Sequence, residues 1–168
     1  MKTLYVIRHA KSSWDDTGIA DFERPLNDRG KRDAPRMGKR LKEKKVHPDL
    51  LLSSPAKRAL STCKRIAELL KYPKERIKTD QDLYHADDEQ ILEVLRRIKD
   101  KHEVVIVFGH NPGLTDFINA LSDADTVPIA DMPTCSVAAF SLDINSWKGL
   151  GFGKGRLQYF DYPKSKED

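Results

Sequence analysis

Apolar residues follow two periods along this chain. Short continuous runs at Leu4-Tyr5-Val6-Ile7, Leu50-Leu51-Leu52 and Val104-Val105-Ile106-Val107-Phe108, each followed by polar or glycine residues, read as buried strands. Between and after them, apolar residues recur every three to four positions: Ala34, Met37, Gly38 and Leu41; Ala59, Cys63, Ile66, Ala67 and Leu70; Ile91, Leu92, Leu95 and Ile98. Each set marks one face of a helix. Pro35 lies inside the first set and implies a kink or a late start there. A further helix is expected over residues 112–121. The alternation predicts an α/β domain, a mostly parallel central sheet flanked by helices and joined by right-handed crossovers. After Pro133 the period changes, and residues 136–142 and 156–160 read as a closing antiparallel pair. The glycine-bearing stretch 147–155 between them is a hairpin rather than a phosphate loop, because it lacks G-K-[ST] and does not lead from a buried strand into a helix. Residues 1–163 make a single domain, with 164–168 a frayed tail.

Composition narrows the picture. A length of 168 residues suits one domain on a prior of about 150 residues, and 39% hydrophobic residues argue against disorder. Cys63 and Cys135 stand far apart without C-x-x-C spacing, which supports neither a disulfide scaffold nor a zinc module and points to a reducing compartment. The first apolar run meets Arg8 too early for a signal peptide or a membrane span, so the expectation is a cytoplasmic protein with no membrane partner. The net charge of +4 hides an asymmetry: residues 1–72 carry 18 bases and 9 acids, and residues 73–168 carry 12 bases and 17 acids. The basic part attracts anions. The stretch 29–45 alone holds nine bases and two acids, much of which a solvated helix face explains, and no aromatics interleave with them as stacking on single-stranded nucleic acid requires.

Candidate chemistry gathers where strands end. Two of them finish as Val6-Ile7-Arg8-His9 and Val107-Phe108-Gly109-His110, and open α/β sheets bind ligands beyond the carboxyl ends of their strands. The third ends Leu52-Ser53-Ser54-Pro55, with Arg58 on the first turn of a helix that Ser54 would cap and Pro55 open. A lone strand-end histidine is usually structural, but three strands ending in cationic or imidazole groups make an oxyanion pocket, most naturally for phosphate. Other phosphatase chemistries fit poorly: neither cysteine has an arginine six residues later, and Asp15-Asp16-Thr17-Gly18 does not follow an apolar strand.

These residues carry a resemblance. Residues 4–10, then Leu52-Ser53-Ser54-Pro55-x-x-Arg58-Ala59-x-x-Thr62, then Gly109-His110-Asn111-Pro112-Gly113 resemble the histidine phosphatase superfamily, with its phosphoglycerate-mutase-like fold. Arg8-His9-Ala10-Lys11-Ser12, Arg24-Pro25-Leu26-Asn27-x-x-Gly30, Asp82-Leu83-Tyr84 and the short length are similar to the SixA-type phosphohistidine phosphatases, a minimal form without a large lid. The resemblance implies that His9 is a nucleophile accepting a phosphoryl group, that Arg8, Arg58 and a protonated His110 bind its oxygens, and that no metal or cofactor takes part. Ala10 stands where the superfamily commonly has glycine, which a negative φ tolerates. Asp82 occupies the place of the general acid of larger relatives, or else caps the following loop; His85 and Asp87 are its neighbours, and Asp87 reads as a helix cap before Gln90. Arg24 either approaches the phosphate or pairs with an acid such as Asp21. Lys11, Ser12 and Ser13 either donate to phosphate oxygens or form an exposed loop, and Asn111 either orients His110 or caps the helix that follows. The function so implied is a metal-independent phosphatase working through a phosphohistidine intermediate, with a phosphohistidine on a phosphotransfer module of a signalling protein as substrate. The alternatives are a small-molecule phosphomonoesterase of the same superfamily, and a non-catalytic module binding a phosphorylated ligand or nucleic acid.

Overall fold

A computed structural model describes residues 1–166. Its single sheet holds β1 (Lys2–Arg8), β2 (Leu50–Ser53), β3 (Lys78–Thr79), β4 (Val104–Gly109), β5 (Val137–Leu142) and β6 (Gly155–Asp161), in the order β3-β2-β4-β1-β5-β6. The first four strands are mutually parallel, β5 runs antiparallel to β1, and β6 closes the sheet antiparallel to β5. The helices are α1 (Asp28–Glu43), α2 (Lys57–Leu69), α3 (Asp88–Arg96) and α4 (Gly113–Leu121).

The continuous apolar strands follow from burial on both faces. Leu4 and Val6 of β1 pack with Leu92 and Leu95 of α3 and Phe117 of α4, whereas Ile7 packs with Met37 and Leu41 of α1 and Ile66 of α2. Both cysteines are free and buried. Among the described residues, no lid is inserted over the carboxyl ends of the strands, and no helix is long and apolar enough to cross a membrane.

Several local expectations change. Helix α1 does not start late: the Asn27 side chain accepts the Gly30 N–H at 2.9 Å, and the helix runs through Pro35 with Ala34, Met37 and Leu41 buried. Packing of that face offsets a local cost of about 3 kcal/mol. Helix α2 begins at Lys57, two residues later than a Ser54 cap implies, so Arg58 still lies in its first turn, while the Ser54 hydroxyl accepts the Ala56 N–H just ahead of it. Strand β3 was invisible in the pattern because both of its residues are polar and exposed at the sheet edge. At the start of the tail, residues 163–165 form a 3-10 turn, and the buried Arg40 guanidinium donates to the carbonyls of Tyr162, Pro163 and Lys166. The last two positions of that tail, 167–168, lie outside the described residues.

Candidate active site

Parallel register places the two histidines together. Arg8 stands opposite Gly109, so the next residues, His9 and His110, leave the sheet side by side, with ring centroids 5.2 Å apart and planes tilted by 53°. The backbone at His9 is held from both directions: its N–H donates to the Gly109 carbonyl at 3.1 Å, and the Cys135 N–H donates to the carbonyls of Arg8 and His9, each at 3.0 Å. Ala10, next in the chain, donates its N–H to Thr62 Oγ1, which in turn donates to the Arg58 carbonyl, tying the loop after β1 to α2. Ala10 is not among the described residues with positive φ, as its side chain requires.

Hydrogen bonding decides which ring nitrogens are available. A carbonyl can only accept, so the 2.7 Å contact to the Ala10 oxygen puts the His9 proton on Nδ1 and leaves Nε2 with a free lone pair. Burial, with smaller contributions from Arg58, Arg8 and Arg24, pushes the His9 pKa down to about 3, so the ring is neutral and basic nitrogen is exposed to a substrate. The Ser54 hydroxyl accepts the Ala56 N–H and lies 2.8 Å from His110 Nε2. With one lone pair given to that N–H, the hydroxyl can donate to Nε2 or accept from it, and His110 Nδ1 is left without a partner. Burial, then the neighbouring His9 and Arg58, lowers His110 to about 3 as well. In the unliganded site His110 is therefore neutral; the expected protonated form belongs to the site with phosphate bound.

The guanidiniums are anchored by one side each. Arg8 donates from Nη1 to the Met132 carbonyl at 2.8 Å, and Arg58 donates from Nη1 to the Asp21 carbonyl at 2.8 Å and pairs through Nη2 with the Asp21 carboxylate at 3.1 Å. Nε of Arg8, Nε of Arg58 and Nδ1 of His110 are buried without a partner, three of the four such side-chain atoms among the described residues. A buried donor left unpaired costs about 1–3 kcal/mol. Three of them around one histidine pair are the groups that an anion with several oxygens satisfies.

The other expected residues divide. Arg24 is buried, pairs with Asp21 at 3.1 Å and donates to Ser12 Oγ at 2.8 Å, so the ion-pair alternative is the one observed, and buried Ser12 serves as its acceptor. The Ser13 hydroxyl accepts the Asp15 N–H in an exposed turn. Lys11 contributes its carbonyl, which accepts the Asn27 N–H. Asn111 caps α4, accepting from Thr115 N–H and hydroxyl, and Asp87 caps α3 through Gln90. Asp82 is not brought to the histidines: its carboxylate is exposed and ion-paired at 3.0 Å with Arg97, just beyond α3. Its 3-10 turn buries Leu83 instead, and this directs Tyr84 toward the site. His85 is exposed, with its ring 3.9 Å from that of Tyr84.

Three participants were not legible as such. Asp21 joins Arg24, Arg58 and the Tyr84 hydroxyl, the last at 2.6 Å, and these bonds, Tyr84 foremost, hold its carboxyl well below the usual carboxylate range. Tyr84 meets His110 edge-on at 5.7 Å. Ser54 lies within hydrogen-bond distance of His110 Nε2. The signals available were the Asp21–Arg24 spacing and the presence of Ser54 and Tyr84 in the quoted motifs. Among the described residues, no group of three or more His, Cys, Asp or Glu side chains could hold a metal ion.

Comparison with known proteins bears on this geometry. Residues 4–87 match the sequence profile of the histidine phosphatase superfamily, branch 1. An uncharacterised chloroplastic protein of Arabidopsis thaliana is 31% identical over 155 residues, covering 88% of this chain and 69% of its own. An uncharacterised protein of Mycobacterium tuberculosis is 30% identical over 166 residues, covering 94% of this chain and 100% of its own. Among solved structures, a tungstate complex of the protein histidine phosphatase SixA superposes with a TM-score of 0.80 at 23% identity, covering 96% of this chain and 97% of that one. The SixA protein of Agrobacterium tumefaciens gives 0.77 at 26% identity, covering 96% and 98%.

Proposed function

Because the chain belongs to branch 1 of the histidine phosphatase superfamily and is a phosphatase, we propose that it removes phosphate from phosphohistidine in proteins, through a phosphoryl group carried transiently on His9. The likeness to the SixA structures supports this reading. The observation that carries it is a pocket rich in buried unpaired donors whose nearest carboxylate is already committed as an anion.

The chemistry runs in two displacements. Nε2 of His9 attacks phosphorus while Nδ1–H stays on the Ala10 carbonyl, and Nε of Arg8, Nε of Arg58 and Nδ1 of His110 receive the equatorial oxygens. The P–N bond to the substrate breaks as the new P–N bond forms. Water then attacks phospho-His9, releasing inorganic phosphate and restoring the ring. Charge that a divalent ion supplies in other phosphoryl transfers comes here from two guanidiniums.

The leaving group discriminates between substrate classes. An alkoxide needs a proton from the enzyme, whereas a phosphohistidine ring takes one from solvent on its distal nitrogen and departs neutral. Asp21 is held ionised by Tyr84, Arg24 and Arg58, and Asp82 is paired with Arg97, so neither is poised to donate. General acid catalysis is worth about 10²–10⁴-fold where it is needed, and its lack here favours the phosphoramidate. The test is brief incubation with labelled phosphohistidine protein, followed by kcat/KM on that protein and on an alkyl phosphate. The expected result is an acid-labile, alkali-stable phosphoenzyme absent from His9→Ala and a preference of at least about 100-fold for phosphohistidine. Label on serine or cysteine, or equal efficiency on both substrates, would overturn the reading.

A further inference from the structure

Around the mouth of the pocket lies a continuous set of aromatic groups that the two displacements do not use. Trp14 is 68% exposed, and its ring centre lies 3.5 Å from the Arg24 guanidinium. Arg24 leads through Asp21 to Tyr84, whose ring meets Phe22 edge-on at 5.1 Å and lies 3.9 Å from His85. Ile19, in the same loop as Trp14, is 36% exposed. Two segments that follow parallel strands, 12–22 after the interior strand β1 and 82–85 after the edge strand β3, thus bring apolar and aromatic surface to the rim of the site.

We propose that this rim is the docking surface for the protein that carries the phosphohistidine, and that the partner presents its phosphorylated ring among exposed apolar side chains. The proposal rests on the phosphohistidine reading above. Trp14 is exposed and Tyr84 half-buried beside the pocket, and such rings contribute to association out of proportion to their number, since they lose little side-chain entropy and cover much apolar area. Continuity with the pocket identifies the occupant: the Tyr84 ring of this rim meets His110 at 5.7 Å, so a folded protein that delivers a phosphoryl group to His9 brings the surface around its point of attachment to these segments. Asp15 and Asp16 are exposed on the same loop, so charge does not drive the contact there; apolar burial does.

The discriminating experiment uses two substrates, a histidine-phosphorylated phosphotransfer domain and free phosphohistidine. Ile19→Asp and Trp14→Ala should each lower kcat/KM on the domain by about tenfold or more, through KM, while free phosphohistidine changes less than about twofold. Trp14→Phe, which keeps a ring on Arg24, should recover most of the loss. Equal losses on both substrates in both variants would show that the rim merely supports the pocket, and unchanged activity on the domain would show that the partner does not touch it. Wild-type turnover of free phosphohistidine but not of the domain would likewise overturn the docking surface. Failure of the wild type on both, with activity on alkyl phosphates, would instead remove the phosphohistidine reading itself.

Discussion

At the scale of single residues, the site is governed by burial and by which atom holds each proton. His9 and His110 have pKa values lowered from 6.5 to about 3, chiefly by burial. Above pH 6.5 both rings are neutral folded or unfolded, and they make stability independent of pH. Between about 6.5 and 3 the unfolded chain binds protons that the folded chain excludes, so stability falls as pH falls. Proton resonances of the two rings should accordingly show no titration between pH 7.5 and 5 in the unliganded protein; an inflection near 6.5 would refute the buried neutral pair. Asp21 is the residue on which the pocket's arms converge. Asp21→Asn weakens the ties to Arg24, Arg58 and Tyr84, and misplacement of a transition-state donor is expected to lower kcat roughly 10- to 100-fold. Asp82→Asn, on the exposed Arg97 pair, should stay within about twofold, because surface ion pairs contribute about 0–1 kcal/mol. Steady-state kinetics on phosphohistidine separates the two: a large Asp82 effect with a small Asp21 effect reverses the assignment.

At the scale of elements, helix starts set the loops that face the substrate. A β-carbon at Gly30 would stand 2.2 Å from the Lys11 carbonyl oxygen, and one at Gly113 would stand 1.9 Å from that of Ala86. The first approach presses the loop carrying Lys11, Ser12 and Ser13 against α1; the second presses α4 against the segment behind Tyr84 and His85. Gly30→Ala should therefore cost about 1–3 kcal/mol and disturb Ser12 and Arg24 together. Urea unfolding should show the lower midpoint, and kcat should fall with it; a variant as stable as the parent would mean that the loop yields freely. The capping signals were read correctly at Asp87 and Asn111, where a short polar side chain precedes its own helix. At Ser54 the hydroxyl accepts the Ala56 N–H while also contacting His110 Nε2, and regular helix begins only at Lys57.

At the scale of the whole molecule, the chain closes on itself through Arg40, which projects from α1 to the end of the described chain and holds Asp161 as well as three carbonyls. Arg40→Met should destabilise by about 2–4 kcal/mol, the cost of buried acceptors left without a donor, with kcat little changed; urea unfolding measures this, and a shift under about 0.5 kcal/mol would show the anchor to be dispensable. The sequence by itself determined the layers, since periods of two kinds assign strands and helices before any contact is known, and it placed Arg8, His9 and His110 at strand ends, where parallel sheets open, and Arg58 on the first turn of the helix after β2. Only the tertiary structure decided the rest. Whether His110 is charged depends on how completely it is buried and on its neighbours His9 and Arg58; whether Arg24 faces phosphate or Asp21 depends on a turn packed against α2; whether Asp82 or Asp21 belongs to the pocket depends on which carboxylate the fold pairs with Arg97 and which with Arg58. Those are differences of desolvation and of three-dimensional pairing, and local sequence encodes neither, because both depend on neighbours many residues away along the chain.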